Sequence, residues 1–218
     1  MPYDFKGVRI EWLGHASFRI TADKTIYIDP YQIESGRPAD IIIITHDHFD
    51  HFNLDDIRKI LKPDTVIVAA EHCISQLREI KAGRIEPIKP GSKINVSGVE
   101  VTAVPAYNVN KFKEPGVVFH TRQYGGVGVI VKVAGVSIYH AGDTDFIEEM
   151  RDIKVDVALL PVSGTYVMTA EEAAKAADVV KPAVAIPMHY GGIVGTLEDA
   201  QKFKRLSKCE TVILEKER

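Results

Sequence analysis

Three imidazoles and two carboxylates share six consecutive positions, His46-Asp47-His48-Phe49-Asp50-His51, directly after the apolar run Ile41, Ile42, Ile43, Ile44. Neutral imidazole nitrogens and carboxylate oxygens are the donors that zinc, iron and manganese accept. In extended backbone, residues two apart project to the same side, so His46 and His48 can converge on one ion while Asp47 points away. Once the chain turns, Asp50 and His51 can address a second ion beside the first. Three histidines at these offsets, at the end of a buried strand, point to metal and not to a solvated loop.

Such a cluster needs a rigid support and partners from elsewhere. Residues 41–44 form a continuous β-branched run, as in strands covered on both faces, and open sheets place their ligand crevices beyond such strand ends. Asn53 can then cap a helix whose apolar face is Leu54, Ile57, Ile60 and Leu61 and which ends before Pro63. Two later strands end in the same way. Residues 136–139 run into His140-Ala141-Gly142-Asp143-Thr144-Asp145, and residues 183–186 run into Pro187-Met188-His189-Tyr190. Asp145 and Glu148 are spaced as a capping pair for a following helix.

Residues 8–13, 17–21 and 25–28 read as an antiparallel meander closed by Asp29-Pro30, with His15 at its first turn as a structural histidine bonded to a neighbouring loop. A strand at 65–69 precedes a helix over 71–80. Hairpins follow at 93–96 with 99–104 and at 127–133 with 136–139. The last third alternates: strand 155–160, helix 169–180 with Thr169 and Glu172 as a capping box, strand 183–186, helix 196–206, edge strand 211–214. Residues 105–125 are the least regular, a candidate lid or binding loop carrying Tyr107, Asn108, Lys111, Lys113, His120 and Arg122. Both halves pass from meander to βα units. The expectation is an α/β chain with two mixed β-sheets face to face, helices on the outer faces, and a single domain over 1–218.

The chain's 218 residues, 45% of them hydrophobic, are enough for a sizeable core. A formal charge of −3 shows no basic excess, so no nucleic-acid partner is expected. Cys73 and Cys209 form no C-x-x-C pair, which argues against a disulfide framework or a zinc-thiolate site. No apolar stretch approaches the ~18 residues of a membrane span, and a cytoplasmic location is expected. A homo-oligomer is left open.

The motif His46-x-His48-x-Asp50-His51, the later Gly142-Asp143-Thr144 and the distant His189 resemble the metallo-β-lactamase superfamily, in that order and over nearly the whole chain. Trp12-Leu13-Gly14-His15-Ala16-Ser17-Phe18 and Tyr139-His140-Ala141-Gly142-Asp143-Thr144 are most similar to its UlaG-like metal-dependent hydrolases, which include an ascorbate-6-phosphate lactonase and, more distantly, phospholipase D-type phosphodiesterases. The resemblance implies a four-layer αβ/βα sandwich. It implies one or two divalent ions, zinc first with manganese or iron as alternatives. His46 and His48 would hold the first ion and Asp50, His51 and His189 the second, with Asp143 bridging. Relatives supply a third histidine to the first ion from a segment ending Pro-Ala-x-His, where this chain reads Pro105-Ala106-Tyr107-Asn108. Asn108 is a weaker donor, His120 is the alternative, and a mononuclear enzyme stays open.

The implied activity is hydrolysis of an ester, lactone or phosphodiester in a small anionic substrate by a metal-activated water. Asp50, Asp143 and His120 are the candidate catalytic groups. Tyr107, His120 and Tyr190 are candidates to meet the developing oxyanion, and Lys111, Lys113 and Arg122 to hold a phosphate or carboxylate. Two other classes remain: an iron-dependent redox protein of the same fold, and a non-catalytic metal-binding protein.

Overall fold

The computed structural model describes residues 1–34 and 36–217. The meander at the start of the chain has four strands, because Tyr3–Phe5 (β1) pairs with Val8–Gly14 (β2) ahead of Ser17–Thr21 (β3) and Thr25–Ile28 (β4). The sheet then continues in parallel through Ile41–Ile44 (β5), Val66–Ala70 (β6) and Arg84–Ile88 (β7). All four isoleucines of β5 are fully buried, as the β-branched run requires. Helix α1, Leu54–Ile60, joins β5 to β6, and the Asn53 side chain accepts from the backbone amides of Asp55 and Asp56 at its start.

The second sheet repeats this plan. Lys93–Val96 (β8) and Val99–Pro105 (β9) form a hairpin, and a small separate hairpin of Phe112–Glu114 (β10) and Val117–Val118 (β11) interrupts the chain. Val127–Val133 (β12) and Val136–His140 (β13) complete the antiparallel part; Val157–Pro161 (β14), Val184–Met188 (β15) and Glu210–Thr211 (β16) add three parallel strands. Helix α2, Ala170–Val180, packs on β14 and against α3, Leu197–Leu206, which lies on β15. One continuous apolar core joins the inner faces of both sheets, and each fully buried isoleucine contributes about 1.5–3 kcal/mol. This is the four-layer αβ/βα sandwich. Among the described residues no helix is long and apolar enough to cross a membrane.

The differences from expectation have local causes. The helix over 71–80 is a 3-10 segment, Glu71–Leu77, which starts at Ala70 with no side-chain cap and buries only Cys73 and Leu77. β7 escapes a hydrophobic reading because it contains Glu86 and Pro87; at the sheet edge a proline sacrifices no ladder bond. The final edge strand is two residues, not four. Asp145 caps no helix. The turn at Glu148–Asp152 starts at Ile147 without a side-chain cap, and the Asp145 carboxylate instead accepts from the amides of Val109 and Asn110 at 2.7 and 2.8 Å. The 105–125 segment is therefore pinned at its base and carries the β10–β11 hairpin.

Candidate metal centre

The strand-end loops after β5, β13 and β15 meet where the two sheets abut. Backbone bonds hold them there: Val127 donates to the Thr45 carbonyl at 3.1 Å, and His189 to the His15 carbonyl at 2.8 Å. Gly142 turns the chain at φ +64° into Asp143, and a Cβ at that position would sit 2.6 Å from the Val127 carbonyl oxygen. His15, Asp29 and His189 hold φ of 51°, 47° and 61°, values that cost a non-glycine residue about 1–3 kcal/mol each. Strain of this kind collects where geometry is fixed for function.

Two groups of donors result. In His46, His48, His120 and Asp143 one donor atom of each residue lies within 4.8 Å of the others, and the same holds for His15, Asp50, His51 and His189. Asp143 belongs to both neighbourhoods: its Oδ2 lies 3.8 Å from His46 Nε2, 3.8 Å from His120 Nε2 and 3.4 Å from His189 Nε2, and its Oδ1 3.1 Å from His51 Nε2. The six residues expected from the sequence are thus brought together. His120 joins them.

Hydrogen bonds at the far side of each ring decide which nitrogen faces the centre. Thr45 Oγ1 donates to Asp29 Oδ2 at 2.6 Å and so accepts from His46 Nδ1 at 3.0 Å. Ser163 Oγ donates to the Thr165 carbonyl and accepts from His189 Nδ1 at 3.1 Å. His51 Nδ1 donates to Asp29 Oδ2 at 2.8 Å. In the three rings Nδ1 carries the proton and Nε2 is left for the centre, the arrangement that metal-binding histidines need.

Asn108 does the same for His120. The backbone amide of His120 donates to Asn108 Oδ1 at 2.9 Å and the Asn108 amide donates to the Tyr166 carbonyl at 2.8 Å, which fixes the orientation of the side chain. Oδ1 therefore accepts from His120 Nδ1 at 2.8 Å, and Nε2 points inward, 3.1 Å from His48 Nδ1. Asn108 is not itself among the converging donors; its four hydrogen bonds are spent on positioning. The alternative, His120, is the residue that completes the first group.

Five buried atoms of the two groups have no hydrogen-bond partner: Nδ1 of His15, Nε2 of His46, His51 and His189, and Oδ1 of Asp143, which lies 3.1 Å from His51 Nε2. Leaving such atoms unpaired costs about 1–3 kcal/mol apiece. Burial, reinforced by the neighbouring His51, holds His46 well below the usual histidine range, and burial brings His120 down to about 4. Burial pushes Asp143 up, but the imidazoles of His51 and His189 outweigh it and keep the carboxyl well below the usual range. Burial lowers His51, yet the carboxylates of Asp143 and Asp29 outweigh it and raise its pKa well above the usual range. Neutral imidazoles at His46 and His120, an ionised carboxylate at Asp143 and, at His51, carboxylates that call for a positive charge make a donor set that fits divalent ions.

The other sequence candidates lie elsewhere. Tyr107 Oη donates to Glu149 at 3.0 Å and its ring lies under Arg122, whose guanidinium pairs with Glu149 at 2.8 Å. Lys111 Nζ is held by Glu172 at 2.7 Å and Asp145 at 3.3 Å, and Lys113 sits on the exposed β10. Tyr190 stacks on Trp12 at 4.7 Å and lines a cavity on the far side of His15. These four, with Arg122, do not line the cavity at the donors. His15 Nε2 meets Asp50 Oδ2 at 2.9 Å, a bond to a neighbouring loop of the kind its turn position suggested. The residue missed was Asp29. Fully buried, it accepts from the Thr45 amide at 2.8 Å, from Thr45 Oγ1 and from His51, and so orients a histidine of each group. An aspartate at the end of β4, beside the strand that carries the motif, was the available signal.

A protein-family model described as a beta-lactamase superfamily domain matches residues 9–189. A UPF0173 metal-dependent hydrolase of Methanoculleus marisnigri is 37% identical, over 94% of this chain and 91% of that one. The crystal structure of a putative metal-dependent hydrolase from Parabacteroides distasonis superposes with a TM-score of 0.83 at 32% identity, covering 99% of both chains. Igni18, a metallo hydrolase from Ignicoccus hospitalis, gives 0.76 at 25% identity over 97% and 96%.

Proposed function

Because the chain belongs to the beta-lactamase superfamily, we propose that it is a metal-dependent hydrolase that cleaves an ester, lactone or phosphodiester bond in a small molecule. The observation that carries this reading is the convergence of partnerless buried donors, His46, His51 and His189 Nε2 with Asp143 Oδ1, between two histidine groups. His46, His48 and His120 would hold one zinc ion, Asp50, His51 and His189 a second, and Asp143 both. Bound divalent ions supply an activated water near neutral pH and stabilise negative charge on the substrate oxygen.

The chain's own residues set the stage for that chemistry. Asp50, whose Oδ2 is held by His15 at 2.9 Å, lines the cavity and can also orient a water there by accepting its proton in a hydrogen bond. His120 serves as a ligand in this scheme and not as a proton donor. The hydrogen bonds at Nδ1 of His46, His51, His120 and His189 hold these four rings in place ahead of binding.

The test is metal content by mass spectrometry followed by assays on phosphodiester, lactone and thioester substrates, with His51→Ala and Asp143→Asn as controls. We expect near two equivalents of metal and hydrolysis of at least one class, lost in both variants. Activity that survives both substitutions contradicts the proposal.

A further inference from the structure

Resting on the hydrolase reading, we propose that the substrate carries an uncharged apolar arm, an aryl ring or an alkyl chain of similar length, next to the bond that is cleaved. The cavity at the donors, about 240 Å³, is lined by Asp50, Asp143, His48 and His120 together with Phe49, Phe119, Tyr166 and Ile193. These four apolar residues come from four separate loops, after β5, β11, β14 and β15. A local hydrophobic run cannot explain their meeting.

Phe49 stands between two of the donors, His48 and Asp50, and is 65% exposed, while Ile193 is 43% and Tyr166 37% exposed. Apolar surface kept in water at a cleft marks a place where something apolar binds. The rings have set orientations: Phe119 meets Tyr166 edge-on at 4.6 Å, and Tyr31 meets Phe49 edge-on at 6.0 Å. No lysine or arginine lines the cavity among the described residues. Of the cations on the 105–125 segment, Lys111 and Arg122 are bound to Glu172 and Glu149, and Lys113 sits on the exposed β10 outside the cavity lining. A phosphate or carboxylate on the arm would give up water without gaining a cation, whereas an aryl group would cover four apolar side chains. At about 240 Å³ the cavity is at the small end of ligand pockets, which suits one ring or a short chain beside the scissile group.

The test separates this claim from the hydrolase reading by measuring binding as well as turnover. Calorimetry on the zinc-loaded protein compares benzohydroxamate, acetohydroxamate and 4-carboxybenzohydroxamate, which share one metal-seeking head and differ in the arm. We expect benzohydroxamate to bind roughly tenfold more tightly than either of the others, and the Phe49→Ala, Ile193→Ala double variant to reduce that ratio to about twofold. Both side chains are exposed, so zinc content and the circular dichroism spectrum should match the parent. Lys113→Ala should change none of the three affinities. In parallel, phenyl and carboxylate versions of ester and phosphodiester substrates are compared by kcat/KM.

Equal or tighter binding of the carboxylate analogue, or a preference that persists in the double variant, overturns the apolar arm even if hydrolysis is seen. A phenyl preference in binding with no hydrolysis of any substrate leaves the arm standing and removes the hydrolase reading.

Discussion

Asn108→Ala should weaken the first ion site and spare the second. The Asn108 side chain is buried and makes four hydrogen bonds: to the His120 amide at 2.9 Å, to His120 Nδ1 at 2.8 Å, to Asp145 at 3.1 Å and to the Tyr166 carbonyl at 2.8 Å. Alanine leaves the ring of His120 with no acceptor at Nδ1, so nothing holds Nε2 as the bare nitrogen or aims it inward. Loss of an orienting partner of this kind reduces metal affinity by about 10–100-fold, equivalent to about 1.4–2.7 kcal/mol. The residue touches neither Asp50, His51 nor His189, so affinity at the second site should stay within about 0.5 kcal/mol. Asn108→Asp keeps an acceptor opposite Nδ1 and should restore most of the first-site affinity, while a lower melting temperature reports its clash with Asp145. Competition titrations of zinc against a chromophoric chelator resolve the two affinities. Two unchanged affinities in Asn108→Ala, or an equal loss at both sites, would refute the assignment of Asn108 as the support of His120.

Three further outcomes follow from other parts of the molecule. Asp29→Asn places an amide group among three donors, from Thr45 and His51, and should lower second-site affinity by about 10–100-fold in the same titration; unchanged affinity would remove Asp29 from the centre. Gly142→Ala puts a Cβ 2.6 Å from the Val127 carbonyl at φ +64° and should cost about 2–4 kcal/mol by urea unfolding, against about 1–2 for Gly135→Ala, where the space is open; equal costs would contradict the close approach. Glu11 is buried, which raises its pKa, but Arg19 at 2.6 and 2.9 Å and Arg9 at 3.0 Å outweigh burial and lower it. Its contribution is therefore complete above the ordinary glutamate value of about 4.3 and is lost as pH falls through the depressed value. The gap in urea midpoint between the parent and Glu11→Gln should be full at pH 6 and close toward pH 3; a gap independent of pH would show that the carboxylate charge is not what stabilises the pair.

What could be read in the sequence was whatever a single strand writes into its own residues. The run at Ile41–Ile44, the motif that follows it and the strand ends before Asp143 and His189 combine period and position, and the structure brings those loops together. The third histidine of the first group could only be offered as a choice. His120 and Asn108 are twelve residues apart on an irregular segment, and their pairing depends on Asp145 holding the segment's base. Asp29 was passed over because its role comes from register: β4 lies parallel to β5, which sets Asp29 beside Thr45. Two of the three cations expected to meet an anion, Lys111 and Arg122, are occupied by Glu172 and Glu149, which lie far along the chain. Patterning within an element was visible, whereas pairings between distant loops were not.

The central claim is a pair of ion sites bridged by Asp143, the first completed by His120. Anomalous diffraction at the zinc edge, from crystals of the zinc-reconstituted protein, tests it directly. The account predicts two peaks about 3.5–4 Å apart, with Asp143 between them and His120 Nε2 about 2.0–2.1 Å from the one shared with His46 and His48. A single peak, or a first ion bound by Asn108 with His120 turned away, would contradict it.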